Sequence, residues 1–284
     1  VQHAGEDQVG AQREQPRPAH KRHGAACRSG VCLAGRGLDK RSLLCDSPLA
    51  ARRAISPPRT LDPMAITLQD PRVSAALDQM FAEAKDQTSL LRDRRDEFER
   101  LSSASAQERA DALSEFYIPV TPEAGRLLYS LVRATRPSTI VEFGMSFGIS
   151  AIHLASAVRD NGSGKVVTTE LSATKIAAAK KAFANTGLDD LITVLEGDAL
   201  STLASLDGPV DFMLLDGWKE LYLPVLQLLE PRLSPGTLIV ADNTEMAETK
   251  PYLEYVRNVE NGYVSVNFPA RDADSMEISC RAAN

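Results

Sequence analysis

From residue 139 onward the chain alternates short, nearly unbroken apolar runs with longer segments whose apolar residues recur at helical spacing. The runs at 139–143, 166–169, 192–195, 210–215 and 238–241 predict strands; the segments at 150–158, 173–184, 200–206, 221–229 and 249–258 predict helices. Strands apolar on both sides and separated by helices belong in a parallel sheet covered on both faces. Two last β-rich pieces, 263–268 and 276–280, have no helix between them and predict an antiparallel pair. Ahead of the first strand, helical spacing starts at Pro71 and puts Val73, Leu77, Met80, Phe81 and Ala84 on one face. A polar, helix-favouring stretch covers about 105–116. Thr121-Pro122 reads as N-cap and first helical residue of a further helix, with Leu127, Leu128, Leu131 and Val132 inward and an end before Pro137. The expectation is an α/β fold: a mostly parallel seven-stranded sheet with a C-terminal antiparallel pair, helices on both faces and an N-terminal helical cap.

Residues 1–63 break this pattern. They are dense in Arg, Pro, Gly and Ala, and neither helical nor strand periodicity persists in them. Little apolar surface offsets the entropy of ordering, which predicts a disordered or non-native extension, with Met64 as the natural start. Residues 64–284 would then form one domain, a helical cap over 64–120 and a core over 121–284. His20, His23, Cys27 and Cys32 lie in the extension, but their spacing fits no common zinc pattern. Of the chain's 32 Lys/Arg and 38 Asp/Glu, residues 1–63 hold eleven and six, leaving 21 against 32 in the remainder. A body that acidic repels a phosphate backbone, so nucleic acid is not an expected partner. No apolar run approaches the roughly 20 residues of a bilayer crossing, and no signal-peptide core develops. With three of four cysteines inside the extension, the body has no disulfide framework, which suits the cytoplasm.

The strand tips carry candidate chemistry. The first strand runs into Glu142-Phe143-Gly144-Met145-Ser146-Phe147-Gly148 and then a helix. The spacing G-x-x-x-G differs from the G-x-G-x-x-G that cradles a dinucleotide pyrophosphate. The second strand ends at Glu170, placed to accept hydrogen bonds from both ribose hydroxyls, and the third at Glu196-Gly197-Asp198-Ala199, where Asp198 can meet an adenine edge. Together they suit a nucleoside without a pyrophosphate, such as S-adenosylmethionine. Taken singly, Glu170 also reads as a helix-start acid near Ser172, and Asp198 as a helix cap.

The fourth strand ends in Asp216-Gly217-Trp218-Lys219 and the fifth in Asp242-Asn243. On adjacent parallel strands, Asp216, Asp242 and Asn243 would turn two carboxylates and an amide oxygen to one point, an all-oxygen set suited to Mg²⁺. The bland alternatives are a solvated lysine and an ordinary turn. Here DGWKELYLP followed by LSPGTLIVADNT resembles the metal-dependent catechol and caffeoyl-CoA O-methyltransferases, a type of class I methyltransferase with a Rossmann-like fold. The likeness covers roughly residues 115–262. It implies Asp216, Asp242 and Asn243 as metal ligands, Lys219 as general base and Trp218 as the aromatic beside the adenine. It also implies that Val120, Glu142, Gly144, Ser150, Glu170, Asp198 and Ala199, with Asp216 and Trp218, hold S-adenosylmethionine. Chelation by a divalent cation favours the phenolate of a phenol with pKa near 10. Methyl transfer to a hydroxyl of a small catechol-like or vicinal-oxygen acceptor follows, and a homodimer is compatible with the family.

Other features stay bland: His153 reads as packing or surface, and Arg92-Asp93-Arg94-Arg95-Asp96 as a solvated helix face. Of Met145, Phe147 and Trp218, only Trp218 has motif neighbours that assign it to a cofactor wall. The end of the chain, PARDADSMEISCRAAN, offers no counterpart to the carboxylate with which the animal enzymes contact the second catechol hydroxyl, so the acceptor stays open. Three other functions remain: a metal-independent methyltransferase, a non-catalytic S-adenosylmethionine-binding protein, and a nucleotide-dependent oxidoreductase, the last against the glycine spacing.

Overall fold

The first helix, α1 (Pro71–Asp93), starts where Asp70 accepts a hydrogen bond from the Arg72 amide and Pro71 takes the first helical position. It buries Val73, Leu77, Met80 and Ala84, four of the five residues its periodicity points inward. The structure, a computed structural model, describes residues 66–271 and 274–283. The extension over 1–63, its His/Cys group and Met64 lie outside the described residues. Two short helices, α2 (Arg95–Arg100) and α3 (Ala106–Ala112), follow. The basic-acidic run at 92–96 is therefore not one continuous helix face. It straddles the end of α1, where Arg94 leaves helical geometry, and the start of α2. Ser105 and Glu108 form a reciprocal capping box on α3. Next, α4 (Pro122–Thr135) is capped by Thr121 and ends on Arg136 in the left-handed region.

The core alternates β1 (Thr139–Phe143), α5 (Ile149–Asn161), β2 (Lys165–Glu170), α6 (Ala173–Thr186), β3 (Ile192–Glu196), α7 (Ala199–Ala204), β4 (Val210–Leu215), α8 (Tyr222–Leu229) and β5 (Leu233–Ala241). After α9 (Lys250–Arg257) come β6 (Tyr263–Arg271) and β7 (Asp274–Arg281). The seven strands are ordered β3-β2-β1-β4-β5-β7-β6. The first five pair in parallel, and β7 runs antiparallel to both β5 and β6. β5 starts five residues before the predicted 238, because Ser234-Pro235-Gly236, which reads as a turn, continues the strand.

Every residue of β1 is buried, and alternation splits them between two apolar layers. Ile140 joins the layer containing Val132, Leu154 and Phe183, whereas Val141 and Phe143 join Met213, Tyr222 and Leu226 on the other face. All described residues fall in one unit, Arg59–Asn284. Among them, no helix is long and apolar enough to cross a membrane.

Candidate active site

Sequence order runs outward from β1 in one direction through β2 and β3, then jumps to β4 on its other side. Loops leaving β1 and β4 consequently diverge, and a crevice opens at the carboxyl ends of the strands. A cavity of about 400 Å³ occupies that place, within the range of small-molecule sites.

Its floor is the loop after β1. Gly144 has φ +95°, and a Cβ there would come within 2.6 Å of the Gly217 Cα. The room is taken by the loop after β4, so glycine is required by loop-on-loop packing in addition to any ligand. Gly148, at φ +90°, makes way for the Phe183 ring. Between them Ser146 adopts φ 50°, uncommon for a residue with a side chain, and its amide donates to Glu170 Oε2 at 2.8 Å. Glu170 Oε1 accepts from the amides of Leu171 and Ser172, both at 2.9 Å. The acid thus fastens the glycine loop to the start of α6 while lining the cavity. Asp198 also does two things: it caps α7 by accepting from the Ser201 amide at 3.0 Å, and it lines the cavity with Ala199.

Glu142 is wholly buried. Thr168 donates to its Oε2, while its Oε1 has no hydrogen-bond partner. Burial pushes its carboxyl up to about 7, against the pull of the neighbouring Thr168 and Ser150 hydroxyls. Val120 and Ser150, both buried, line the same cavity.

The β4–β5 register pairs Leu215 with Ala241, so Asp216 and Asp242 emerge side by side. The Asp242 amide still donates to the Leu215 carbonyl at 3.0 Å. Lys219, three residues beyond Asp216, turns its Nζ to within 3.3 Å of Asp216 Oδ1 and donates to Tyr222 Oη at 2.7 Å. Tyr222 in turn donates to the Asp242 carbonyl at 2.9 Å. Burial, aided by Asp242 and Glu142 and opposed by Lys219, pushes the Asp216 carboxyl up to about 7. Burial also pushes the Tyr222 phenol well above its usual value. Asn243, at φ 55°, donates through Nδ2 to Asp274 Oδ2 at 2.7 Å. Because a carboxylate only accepts, this contact fixes which end of the amide is the oxygen. Asp216, Lys219 and Asn243 all line the cavity, and Asp242 is buried beside them. Among the described residues, no three His, Cys, Asp or Glu form a metal-ready group; the candidate set has two carboxylates and an amide.

Trp218 lines the cavity with one face and stacks under the Arg109 guanidinium at 4.2 Å. Arg109, from α3, also pairs with Glu220, so the cap is anchored at the site. A second recess of about 210 Å³, lined by Phe98, Leu101, Arg109, Trp218 and Met246, adjoins Lys219. Met145 and Phe147 line the main cavity too, and Tyr117 stacks on Phe147 at 4.1 Å. His153 is a packing residue: its Nδ1 lies 2.9 Å from the Ile149 carbonyl, and Gly125 leaves room for its ring.

Sequence reasoning missed Tyr222, Asp274, Arg109 and the cavity-lining Lys175. The Lys219-x-x-Tyr222 spacing at a helix start was a usable signal for the first. Nothing in the sequence joins Asp274 to Asn243 or Arg109 to Trp218.

A family model described as a methyltransferase domain matches residues 141–244, which include the tips of β1 to β5. A protein of Mycobacterium tuberculosis named as a probable O-methyltransferase is 32% identical over 151 residues, 49% of this chain and 64% of that protein. The catechol O-methyltransferase of Sus scrofa is 31% identical over 140 residues, 47% of this chain and 74% of that enzyme. The matched region spans between half and two thirds of the length of most curated relatives, 56% for the mouse catechol O-methyltransferase. In fold, an O-methyltransferase from Bacillus cereus solved in complex with SAH superposes with a TM-score of 0.54 at 22% identity, covering 64% of this chain and 95% of that one. The Rossmann-like sheet, the crevice beside β1 and the shared sequence across its strand tips converge: the chain belongs to the class I S-adenosylmethionine-dependent O-methyltransferases.

Proposed function

We propose that the chain transfers the methyl group of S-adenosylmethionine to a hydroxyl of a small, vicinal-oxygen aromatic acceptor, with Lys219 as the base. The observation that carries this reading is the pairing of Lys219 Nζ with Asp216 and the buried Tyr222, where Lys219 and Asp216 line the same cavity as Glu170. The bare, buried Oε1 of Glu142 suits the cofactor's ammonium, and Glu170 its ribose. The recess beside Lys219, walled by Phe98, Trp218 and Met246, suits a flat apolar acceptor. Relatives named catechol O-methyltransferases support the vicinal diol.

In the step itself the acceptor hydroxyl gives its proton to the Lys219 amine. The oxygen forms a bond to the methyl carbon, the carbon–sulfur bond breaks, and its electron pair stays on sulfur as the thioether of S-adenosylhomocysteine. Tyr222 holds Lys219 in place.

The residues also fit a divalent cation. Asp242 disfavours charge on the neighbouring Asp216, and Asp274 orients the Asn243 amide. Asp216, Asp242 and Asn243 would hold Mg²⁺ through oxygen alone. When bound, the cation supplies chelation of the acceptor oxygens and stabilises developing negative charge.

The test is transfer of a labelled methyl group from the cofactor to catechol, with Mg²⁺ and after chelation. Transfer that requires Mg²⁺ is expected. Transfer indifferent to chelation would refute the metal assignment, and no transfer to any phenol would refute the acceptor class.

A further inference from the structure

Leu113, Trp218, Lys219 and Met246 line both the main cavity and the recess of about 210 Å³ beside it, so the two spaces share a wall at the proposed base. Phe98, Leu101 and Arg109 line only the recess. An acceptor lying in the recess with its hydroxyl at Lys219 turns its far end to these three residues.

Arg109 has more donors than partners. A guanidinium carries five N–H donors. Among the described residues this one makes a single hydrogen bond, from Nη2 to Glu220, and its Nε is buried with no partner. Trp218 covers one face at 4.2 Å, so a further oxygen meets the guanidinium in its plane, where the N–H groups point. The side chain is 17% exposed, which leaves bulk water a small share of those donors. An oxygen of a ligand in the recess would satisfy what the protein leaves open.

The charge around Arg109 decides the kind of oxygen. Arg109 is matched by Glu220, and Lys219 by Asp216. The exposed Glu248 adds a further negative charge to the recess lining. A carboxylate entering there meets no unmatched cation, and an ammonium is opposed by the guanidinium itself. A neutral carbonyl oxygen uses the open N–H groups without adding charge.

We propose that Arg109 recognises the acceptor by donating to a neutral carbonyl oxygen on its ring substituent. The preferred substrate is then a vicinal diphenol carrying an ester, amide, aldehyde or ketone. The inference rests on the methyl-transfer reading above and narrows its acceptor. Arg109 touches no reacting atom, so its effect falls on KM for the acceptor more than on kcat.

The experiment is transfer of a labelled methyl group by the full chain, by Arg109→Met and by Glu220→Gln. Four acceptors of graded charge are compared: catechol, dopamine, protocatechuate and the methyl ester of protocatechuate. Wild type should favour the ester over each of the others by about tenfold in kcat/KM, mainly through KM. In Arg109→Met the ester should fall to within about twofold of catechol. Ring reactivity is the same for both enzymes, so the change in that ratio reports the lost contact. Glu220→Gln leaves the Arg109 charge unmatched, so protocatechuate should gain about tenfold on the ester. This second variant decides the question if Arg109→Met does not fold. An ester preference that survives in Arg109→Met, an equal loss toward all four acceptors, a wild type that favours protocatechuate or dopamine, or an unchanged ratio in Glu220→Gln would overturn the assignment. A folded wild type that methylates none of the four would overturn the acceptor class proposed above, and this inference with it.

Discussion

Glu142 is the residue whose environment departs furthest from its usual solvation: a carboxyl at zero exposure, with one oxygen lacking any partner. Its folded-state value near 7 stands above that of an unfolded glutamate, so the folded state binds the proton more tightly. Its stability contribution is therefore full below about pH 4.5 and is lost as pH rises to about 7. Denaturant unfolding of wild type and Glu142→Gln across that window should show the variant gaining on the wild type as pH rises, by on the order of 3 kcal/mol in total, then holding a constant lead. A pH-independent difference would mean that Glu142 is charged throughout. At this scale the sequence disclosed the acids at strand ends, because an acid closing an apolar run stands out. Lys175 and Tyr222 stayed hidden, since each looks like an ordinary first-turn helix residue until burial is known. Asp274 reaches Asn243 only through the antiparallel return of β7, which no local spacing encodes.

Two glycines with positive φ separate conformational strain from collision. Gly162 closes α5 at φ +77° with open space around its missing side chain, whereas Gly144 at φ +95° faces the Gly217 backbone. Gly162→Ala should cost about 1–2 kcal/mol, the left-handed penalty alone. Gly144→Ala should cost clearly more and should displace the loop after β4, lowering both the melting temperature and cofactor affinity. Equal losses would mean that the two loops can part freely. Elements proved legible where their periodicity was sustained: β1 and β4 begin and end at the predicted residues, and α4 starts on its Thr-Pro pair. Boundaries failed where solvent decides. The exposed Ser234-Pro235-Gly236 continues β5 although its composition suggests a turn, and the charged run at 92–96 conceals a helix break because neither side of it packs on the core.

At the scale of the whole molecule, one cavity joins groups from β1, β2, β3 and β4 to the cap helix carrying Arg109, so a ligand there links elements far apart in sequence. S-adenosylhomocysteine at about one hundred times its Kd should add about 2.7 kcal/mol of stability and raise the melting temperature by about 5 °C or more, in a concentration-dependent way. An unchanged melting temperature at saturating ligand would contradict binding to the folded chain. The parallel order and the antiparallel return were readable from apolar runs alone. The contact between cap and site was not, because Arg109 over Trp218 is a meeting of two surfaces with no shared pattern.

The claim on which the rest depends is that Lys219 performs chemistry instead of binding. Comparing Lys219→Ala with wild type in single-turnover methyl transfer and in S-adenosylhomocysteine titration separates the two. The rate should fall by about 10² to 10⁴, with affinity for S-adenosylhomocysteine within about threefold. A variant that transfers methyl at the wild-type rate, or one whose lost activity is matched by an equal loss of cofactor affinity, would contradict the account.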